Sequence, residues 1–321
     1  MARSIIRNKR KVNPRPFKLH ELIAKAFPEK FSVRTIYHYT TLDVAQLFLN
    51  PEKIMLYCTY AKALNDNQEY MIGIEYAEAH IAEVMHLDAE VLSEVKAMLN
   101  QLKNIGYRIP WVMSFSTQRD LLSQWRAYTD KKNGGYAIGF SFSELEKLVK
   151  KIVLQKAANS KGRPPYILHL LPCFYLDYES ETSMQEVSRF FKLIFNDHFN
   201  NVVTSLIDVN NLQQYAAAIV SLICVFAAFI KHQAFKEEDE YRLMIQVQDK
   251  DYEKNVEIVG NKPRLKISEK VRSADLNKAI VELWTSPHGD TDILKSIAHF
   301  MQGKYNGKWL LYYSNLPFNG R

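Results

Sequence analysis

The chain has 321 residues, of which 47% are hydrophobic and 12% aromatic, so it can bury a sizeable core and is not globally disordered. Its formal net charge of +7 has a local origin: the first 18 residues carry seven bases and no acid, whereas the other 35 bases balance 35 acids. No apolar stretch follows these bases, so we expect no secretory signal peptide in this segment.

Residues 1–18 are predicted to form a basic N-terminal arm. Unopposed basic residues are typical of a segment that contacts nucleic acid or an acidic partner. They are equally typical of a solvated terminal tail. Both interpretations stay open.

Hydrophobic periodicity predicts short helices and strands that alternate irregularly along the rest of the chain. Thr40 or Thr41 is expected to cap a helix that runs from Leu42 to near Asn50. The other predicted helices cover residues 18–27, 88–104, 121–128 and 143–157, a long segment after the turn at 63–67, and about 181–234. The predicted strands cover residues 35–39, 54–59, 111–116, 136–140, 166–175, 240–248, 263–268, 279–285 and 308–314.

Residues 215–230 contain no charged side chain. As a helix they would span about 24 Å, which is short of the roughly 30 Å hydrocarbon core of a membrane. Because a helix that is apolar on all sides must be covered, we expect a buried central helix here. No membrane association is predicted.

Strands scattered among helices, without a regular β-α-β alternation, predict an α+β fold. No Gly-rich phosphate loop or dinucleotide fingerprint is present. We therefore expect a single domain over residues 19–321, with a mixed, mainly antiparallel sheet core and a large helical insertion at about 181–234.

The three cysteines, Cys58, Cys173 and Cys224, are widely separated and lie in apolar surroundings. They form no Cys-x-x-Cys pair and no His/Cys group with metal-ligand spacing. This usage is typical of a reduced, cytoplasmic protein without a bound metal.

A dense charged segment runs directly into the strand predicted at 240–248. The two-residue period of a strand places Glu238, Glu240 and Arg242 on one face and an apolar row on the other. A carboxylate pair at the edge of a core is either a structural ion-pair network or a reactive centre, and the pattern alone allows both.

Seven short sequence patches follow one another along the chain. They are Ile-Tyr-His-Tyr-Thr-Thr (36–41), Leu-Asn-Asp-Asn-Gln-Glu (64–69), Met-Ser-Phe-Ser (113–116), Trp-Arg-Ala-Tyr (125–128), Gly-Gly-Tyr-Ala-Ile-Gly-Phe (134–140), Glu-Asp-Glu-Tyr-Arg (238–242) and Tyr-Ser-Asn-Leu-Pro-Phe (313–318). Their order resembles a bacterial family of unknown function, although Leu64 and Asn67 depart from the family pattern, which has Phe and Pro there. Some family members look like abortive-infection or toxin-type proteins, which implies a role in phage defence.

An early-strand histidine, a middle aromatic residue and a late Glu-x-Glu strand are similar to the His–Tyr–Glu arrangement of ADP-ribosyltransferases. These enzymes cleave NAD at the nicotinamide ribose, so the resemblance implies NAD as the substrate. It further implies that His38 holds the adenosine-side ribose and that Glu240 orients a ribose hydroxyl. Tyr57 or Tyr60 would stack on the nicotinamide.

Three further residues complete this hypothesis. Arg242 would keep the Glu240 carboxylate ionised, and Glu238 would act as the base that activates an acceptor. Thr40 would support the cofactor-binding residues. The hypothesis requires His38 and Glu240 to line one pocket of ligand size.

Two alternatives remain beside the enzyme hypothesis. The basic arm favours an effector that binds nucleic acid, in which case salt should weaken binding steeply. A purely structural charged row favours a non-catalytic interaction module. For His38 itself, the alternative to a role in binding is an ordinary core or strand-edge histidine, hydrogen-bonded to a backbone carbonyl.

Overall fold

The computed structural model describes residues 18–49, 53–64, 69–105, 109–159, 166–204, 207–247, 255–259, 262–270 and 273–317. Most of the predicted basic arm, residues 1–17, lies outside these ranges.

Helices form where apolar residues recur on one side of a turn of 3.6 residues. The helices α1 to α10 are Lys18–Ala26, Leu42–Phe48, Glu69–Met85, Ala89–Ile105, Leu122–Tyr128, Phe142–Asn159, Glu181–Lys192, Leu212–Ala227, Ser273–Ala279 and Thr291–Lys304. Shorter 3₁₀ segments cover Pro28–Phe31, Ala61–Ala63 and Gln233–Glu238, and a π-helix covers Leu193–Val203.

The strands form one large sheet and one small one. The strands β1 to β12 are Thr35–Thr40, Lys53–Tyr60, Trp111–Ser116, Tyr136–Ser141, Tyr166–Pro172, Phe174–Leu176, Ile230–His232, Glu240–Val247, Val256–Val259, Lys262–Lys270, Ile280–Thr285 and Leu310–Tyr313. The large sheet has the order β12-β11-β4-β1-β3-β2-β10-β9, with β8 paired to β3 and β5 paired to β8, while β6 and β7 form the small sheet. Within the described residues, the parallel pairs are β11 with β12 and β6 with β7. The predicted α+β class with a mainly antiparallel sheet is confirmed.

The large sheet divides into two arms at β3. β8 pairs with β3 along its whole length. β1 pairs with β3 only at Ser116, and β2 pairs with it only at Trp111 and Val112. β1 and β2 therefore share the remaining edge of β3 and diverge from it, one toward β4 and the other toward β10. We call the opening between them the fork.

The two faces of the large sheet bury different clusters. One face carries Ile36, Met113 and Tyr241 and packs against α2, α6, α9 and α10. The opposite face carries Val112 and Met244 and packs against α1, α3, α4, α7 and α8. We call these the inner face and the helical face, respectively.

Helix α8 is the buried central helix that the uncharged segment predicts. It begins after Asn211, whose side-chain oxygen accepts a hydrogen bond from the N–H of Gln214. Its residues pack against α3 and α4. No helix in the described part of the chain is long and apolar enough to cross a membrane.

Two boundaries differ from the sequence prediction. The strand expected over 166–175 is two strands, β5 and β6, which belong to different sheets. The helical segment expected over 181–234 ends at Ala227, because the chain then enters β7. A short strand beside an apolar helix has no periodicity of its own long enough to show in the sequence.

The contact between α3 and α8 depends on Gly73. A Cβ atom at this position would lie 2.5 Å from the Cα of Ala227, which is backbone and cannot move aside. Glycine is therefore required for the two helices to approach.

We predict that Gly73→Ala destabilises the protein by roughly 1–3 kcal/mol, because overpacking outweighs the gain in helix propensity. The matched control is Gly303→Ala near the end of α10, where a Cβ would meet nothing within 4 Å. That variant should gain up to about 1 kcal/mol. Urea unfolding measures both, and equal effects of the two substitutions would contradict this role of Gly73.

Candidate functional site

The charged segment reaches the sheet through a sharp turn. The 3₁₀ segment over Gln233–Glu238 is followed by Asp239, which has a left-handed backbone with φ of 41°. Asp tolerates this conformation better than most residues. The turn separates Glu238 from β8, yet both Glu238 and Glu240 point toward the same ammonium group.

That ammonium belongs to Lys231 on β7. Its Nζ lies 2.9 Å from Glu69 Oε1, 2.8 Å from Glu238 Oε2 and 2.6 Å from Glu240 Oε2. The Lys231 side chain is only 4% exposed. Its ammonium donates hydrogen bonds to Glu238 and Glu240, and Glu69 lies within ion-pair distance.

Arg242 supplies the second cation. Its Nε and Nη2 donate to Glu240 Oε1 and Oε2 at 2.8 and 3.1 Å, a bidentate pairing. Nη2 also donates to Glu69 Oε1, and Nη1 donates to the carbonyl oxygen of Ala228 at 2.8 Å. We call Glu69, Lys231, Glu238, Glu240 and Arg242 the ion cluster.

The cluster joins patches that are distant in the chain. Glu69 ends the patch at 64–69 and begins α3, whereas Glu240 and Arg242 belong to the patch at 238–242. Tyr128, from the patch at 125–128, is half-buried. It lies near the cluster, because the charges of Glu240 and Glu238 add to burial in raising its pKa. Three of the seven patches therefore meet on the helical face of the sheet.

The pKa values of the two carboxylates in the charged row are shifted in opposite directions. Burial alone would raise the pKa of Glu240, but Arg242 and Lys231 lower it to about 2. Burial raises the pKa of Glu238 above its ordinary value, and Lys231 only partly opposes this. The Glu238 side chain is 16% exposed, compared with 4% for Glu240, so Glu238 is the member closer to solvent.

This arrangement holds one carboxylate ionised and makes the second easier to protonate than an ordinary glutamate. Such divergent pairs are typical of acid–base chemistry at glycosidic bonds. Within the described ranges, no three His, Cys, Asp or Glu side chains are placed to hold a metal ion.

The expectation that His38 and Glu240 line a common hollow is wrong. Tyr37 is directly opposite Ser116, and Ser116 is directly opposite Glu240, so these three side chains share the helical face. His38 follows Tyr37 and therefore points to the inner face. There its Nδ1 lies 2.9 Å from the carbonyl oxygen of Ser114, and its ring lies 5.7 Å from that of Phe115.

His38 instead has a place in the fork. The carbonyl oxygen of Ser114 faces the edge of β3 at which neither β1 nor β2 pairs, so the imidazole replaces a strand partner. Burial lowers the pKa of His38 to about 4, so the ring is neutral at physiological pH. Thr40 is on the same face as His38 and is buried opposite Tyr136, away from the ion cluster.

Neither predicted stacking tyrosine lies beside Glu240. Tyr60 is opposite Trp111 at the far end of β3, with ring centroids 5.2 Å apart. Tyr57 is opposite Lys266 on β10, whose Nζ lies 5.8 Å from the ring centroid. Of the predicted site residues, the structure thus brings together Glu238, Glu240 and Arg242.

A cavity of about 410 Å³ lies next to the ion cluster. Tyr175 separates the two: it lines the cavity, and its hydroxyl oxygen accepts a hydrogen bond from the Glu240 N–H at 2.8 Å. Glu237 and Asp239 also line the cavity, whereas Glu238 and Glu240 belong to the cluster. Along residues 237–240, the acidic residues therefore alternate between lining the cavity and belonging to the ion cluster.

Sequence reasoning missed Lys231, Glu69 and Tyr175 as members of the site. Glu69 had a signal, because it closes one of the seven patches. Lys231 also had one, since it is the first charged residue after the uncharged stretch 215–230. Nothing in the sequence pattern distinguishes Tyr175 from the apolar residues around it.

Comparison with known proteins gives one finding. Residues 124–243 are similar to the family described as "Protein of unknown function (DUF2971)". This range contains the patches at 125–128, 134–140 and 238–242, and it includes Glu238, Glu240 and Arg242. No match is found among curated proteins or among solved structures.

The pKa of Glu240 predicts how stability depends on pH. Because the folded-state pKa of about 2 lies below the ordinary value of 4.5, Glu240 stabilises the fold above pH 4.5, and this contribution is lost as the pH falls toward 2. Over that window the wild-type protein should lose about 3 kcal/mol more unfolding free energy than Glu240→Gln, which has no carboxylate to protonate. Urea unfolding at several pH values tests this, and parallel profiles would contradict it.

Proposed function

We propose that the protein is an enzyme that cleaves a glycosidic bond of a nucleotide, with Glu238 and Glu240 as its reacting carboxylates. One observation carries this proposal: both groups bind the same Lys231 ammonium, yet their pKa values are shifted in opposite directions. Environments that separate the pKa values of two neighbouring carboxylates are how enzymes assign the acid–base and the charge-stabilising role.

NAD is the proposed substrate, and ADP-ribosyl transfer is the proposed reaction, because the late Glu-x-Glu strand with Glu238 and Glu240 is similar to that of ADP-ribosyltransferases. The bond between the ribose carbon and the nicotinamide nitrogen breaks, and nicotinamide leaves with the bonding electrons. The ribose passes through an oxocarbenium-like state, which a nearby ionised carboxylate stabilises electrostatically. Glu240 takes this role.

Glu238 acts on the acceptor in this scheme. As the acceptor's nucleophilic atom bonds to the ribose carbon, the Glu238 carboxylate removes its proton. The raised pKa of Glu238 brings it nearer to neutral pH, where a base transfers protons most effectively. Lys231 holds the two carboxylates in place.

Tyr128 replaces Tyr57 and Tyr60 as the proposed stacking aromatic. It is half-buried, it lies within the electrostatic reach of Glu238 and Glu240, and it comes from the Trp-x-x-Tyr patch. The scheme gives His38 and Thr40 no part in the reaction. The likeness of the patches to abortive-infection and toxin-type proteins supports a cytoplasmic phage-defence effector as the biological setting.

The test compares Glu238→Gln with wild-type protein by nicotinamide release from NAD. Loss of the base should lower kcat by about 10²- to 10⁴-fold, while the melting temperature changes little because Glu238 is the least buried member of the cluster. Glu90→Gln is the matched control, an exposed acid on α4 that should keep full activity. Wild-type release at the Glu238→Gln rate would refute the assignment.

A non-catalytic interaction module is the second candidate, and mutual saturation of the buried charges favours it. Both carboxylate oxygens of Glu240 accept hydrogen bonds, and the Lys231 ammonium contacts three carboxylates within the cluster. Breaking such a network leaves an uncompensated buried charge and costs about 3–5 kcal/mol. If wild-type protein neither releases nicotinamide nor is stabilised by NAD, while Glu240→Gln loses this much stability, the cluster is structural.

A further inference from the structure

We infer that Arg264, beside the fork of the sheet, is the anchor of a binding site for a phosphate group. The site is on β10, separated from β8 and its ion cluster by β2 and β3, and it does not depend on the reaction proposed above. The inference follows from the pairing of the charges on β10, the position of Arg264 and the chemistry of its side chain.

Strand β10 presents three basic residues on one face. Lys262, Arg264 and Lys266 alternate with Leu265 and Ile267, which are fully buried in the inner core. Same-face neighbours in a strand are about 7 Å apart, so the three cations act on one another. The charge of Arg264 adds to burial in lowering the pKa of Lys262.

The acid that could neutralise Arg264 is bound elsewhere. Glu257 on β9 is directly opposite Arg264 in the strand register. However, Glu257 Oε1 accepts its hydrogen bond from Lys266 Nζ at 3.0 Å. Among the described residues, Arg264 has no hydrogen bond and no ion pair, and its Nε is buried without a partner.

Arg264 is directed toward the fork. It is opposite Thr59 on β2, next to the point where β2 leaves β3. Its charge acts on the Cys58 thiol, on Tyr57 and on the His38 ring. Neither the thiol nor the imidazole supplies a negative charge at neutral pH, since burial raises the pKa of Cys58 and His38 is neutral.

Arg264 is half-buried, and its buried Nε is costly unless a ligand oxygen accepts its hydrogen bond. Burial lowers the pKa of Arg264 but leaves it charged, and a buried, unpaired polar group is rare in folded proteins. The planar guanidinium binds phosphate and carboxylate oxygens in a bidentate way. A second cation, Lys262, on the same face favours the doubly charged phosphate over a carboxylate.

The test measures binding of inorganic phosphate, AMP and acetate by titration calorimetry at low ionic strength, together with the thermal shift that each produces. Wild-type protein should bind phosphate and AMP more tightly than acetate. Arg264→Gln should weaken phosphate binding about tenfold or more, since it removes charge-assisted hydrogen bonds. Lys147→Gln is the matched control, an exposed cation on α6 that pairs with Glu144, and should change phosphate binding by less than about twofold.

Stability without ligand separates a binding role from a structural one. Arg264→Gln removes an uncompensated charge, so without phosphate its melting temperature should equal or exceed that of the wild-type protein. Arg264→Lys should retain weaker phosphate binding, because the charge remains and the bidentate geometry is lost. AMP binding much tighter than phosphate binding would identify a nucleotide as the source of the group.

Three results would overturn the inference. The first is absence of phosphate and AMP binding to wild-type protein, and the second is unchanged phosphate affinity in Arg264→Gln. The third is a marked loss of stability in Arg264→Gln without ligand, which would make Arg264 a structural residue.

Discussion

The contact on which the helical side of the molecule depends is the bond between Lys231 and three carboxylates. Lys231 is nearly inaccessible to solvent, as are Glu240 and Arg242. Charges can be buried in this way only when each is compensated and hydrogen-bonded. The cluster therefore fixes the start of α3, the strand β7 and the start of β8 relative to one another. Any chemistry at Glu238 depends on that fixed frame.

The division of the sheet at β3 places two different electrostatic settings within one fold. On the β8 side, the acidic and basic side chains of the ion cluster neutralise each other while nearly buried. On the β2 and β10 side, a cation lies beside neutral groups, and its register partner Glu257 is bound to Lys266. Between the two arms, the neutral ring of His38 is hydrogen-bonded to the Ser114 carbonyl oxygen, which has no partner there on a neighbouring strand of the described chain. One edge of β3 is therefore fully paired with β8, whereas the middle of the other edge is hydrogen-bonded by a side chain.

Much of the fold could be predicted from the sequence. Strand β3 has its predicted bounds, residues 111–116, and α5, β8 and β11 lie within one or two residues of theirs. These elements have strong periodicity and clear turn residues at their ends. The break between β5 and β6 was not predicted although Pro172 marks it, because apolar residues continue on both sides of this proline. The division is decided by which partner strand each half finds, and that is a tertiary contact.

The candidate site was predictable in part, for a similar reason. The two-residue period correctly grouped Glu240 with Arg242, and the turn at Asp239 still returned Glu238 to them. The period of a single strand contains no information on which face of the sheet a distant strand will share. His38 was assigned to the wrong face because one residue of register reverses every side chain. Lys231 and Glu69 come from other elements, so only the assembled structure relates them to the charged row.

The packing of α8 has a consequence for how the protein is made. Its partners α3 and α4 precede it by roughly a hundred residues, and their apolar faces are completed by α8. During synthesis at about 5–20 residues per second, those faces leave the ribosome several seconds before their cover exists. During that time the nascent chain exposes an incomplete hydrophobic layer to water. This layer includes the surface around Gly73, against which Ala227 later packs. A delay at the ribosome between these segments would lengthen the period in which the chain is prone to aggregate.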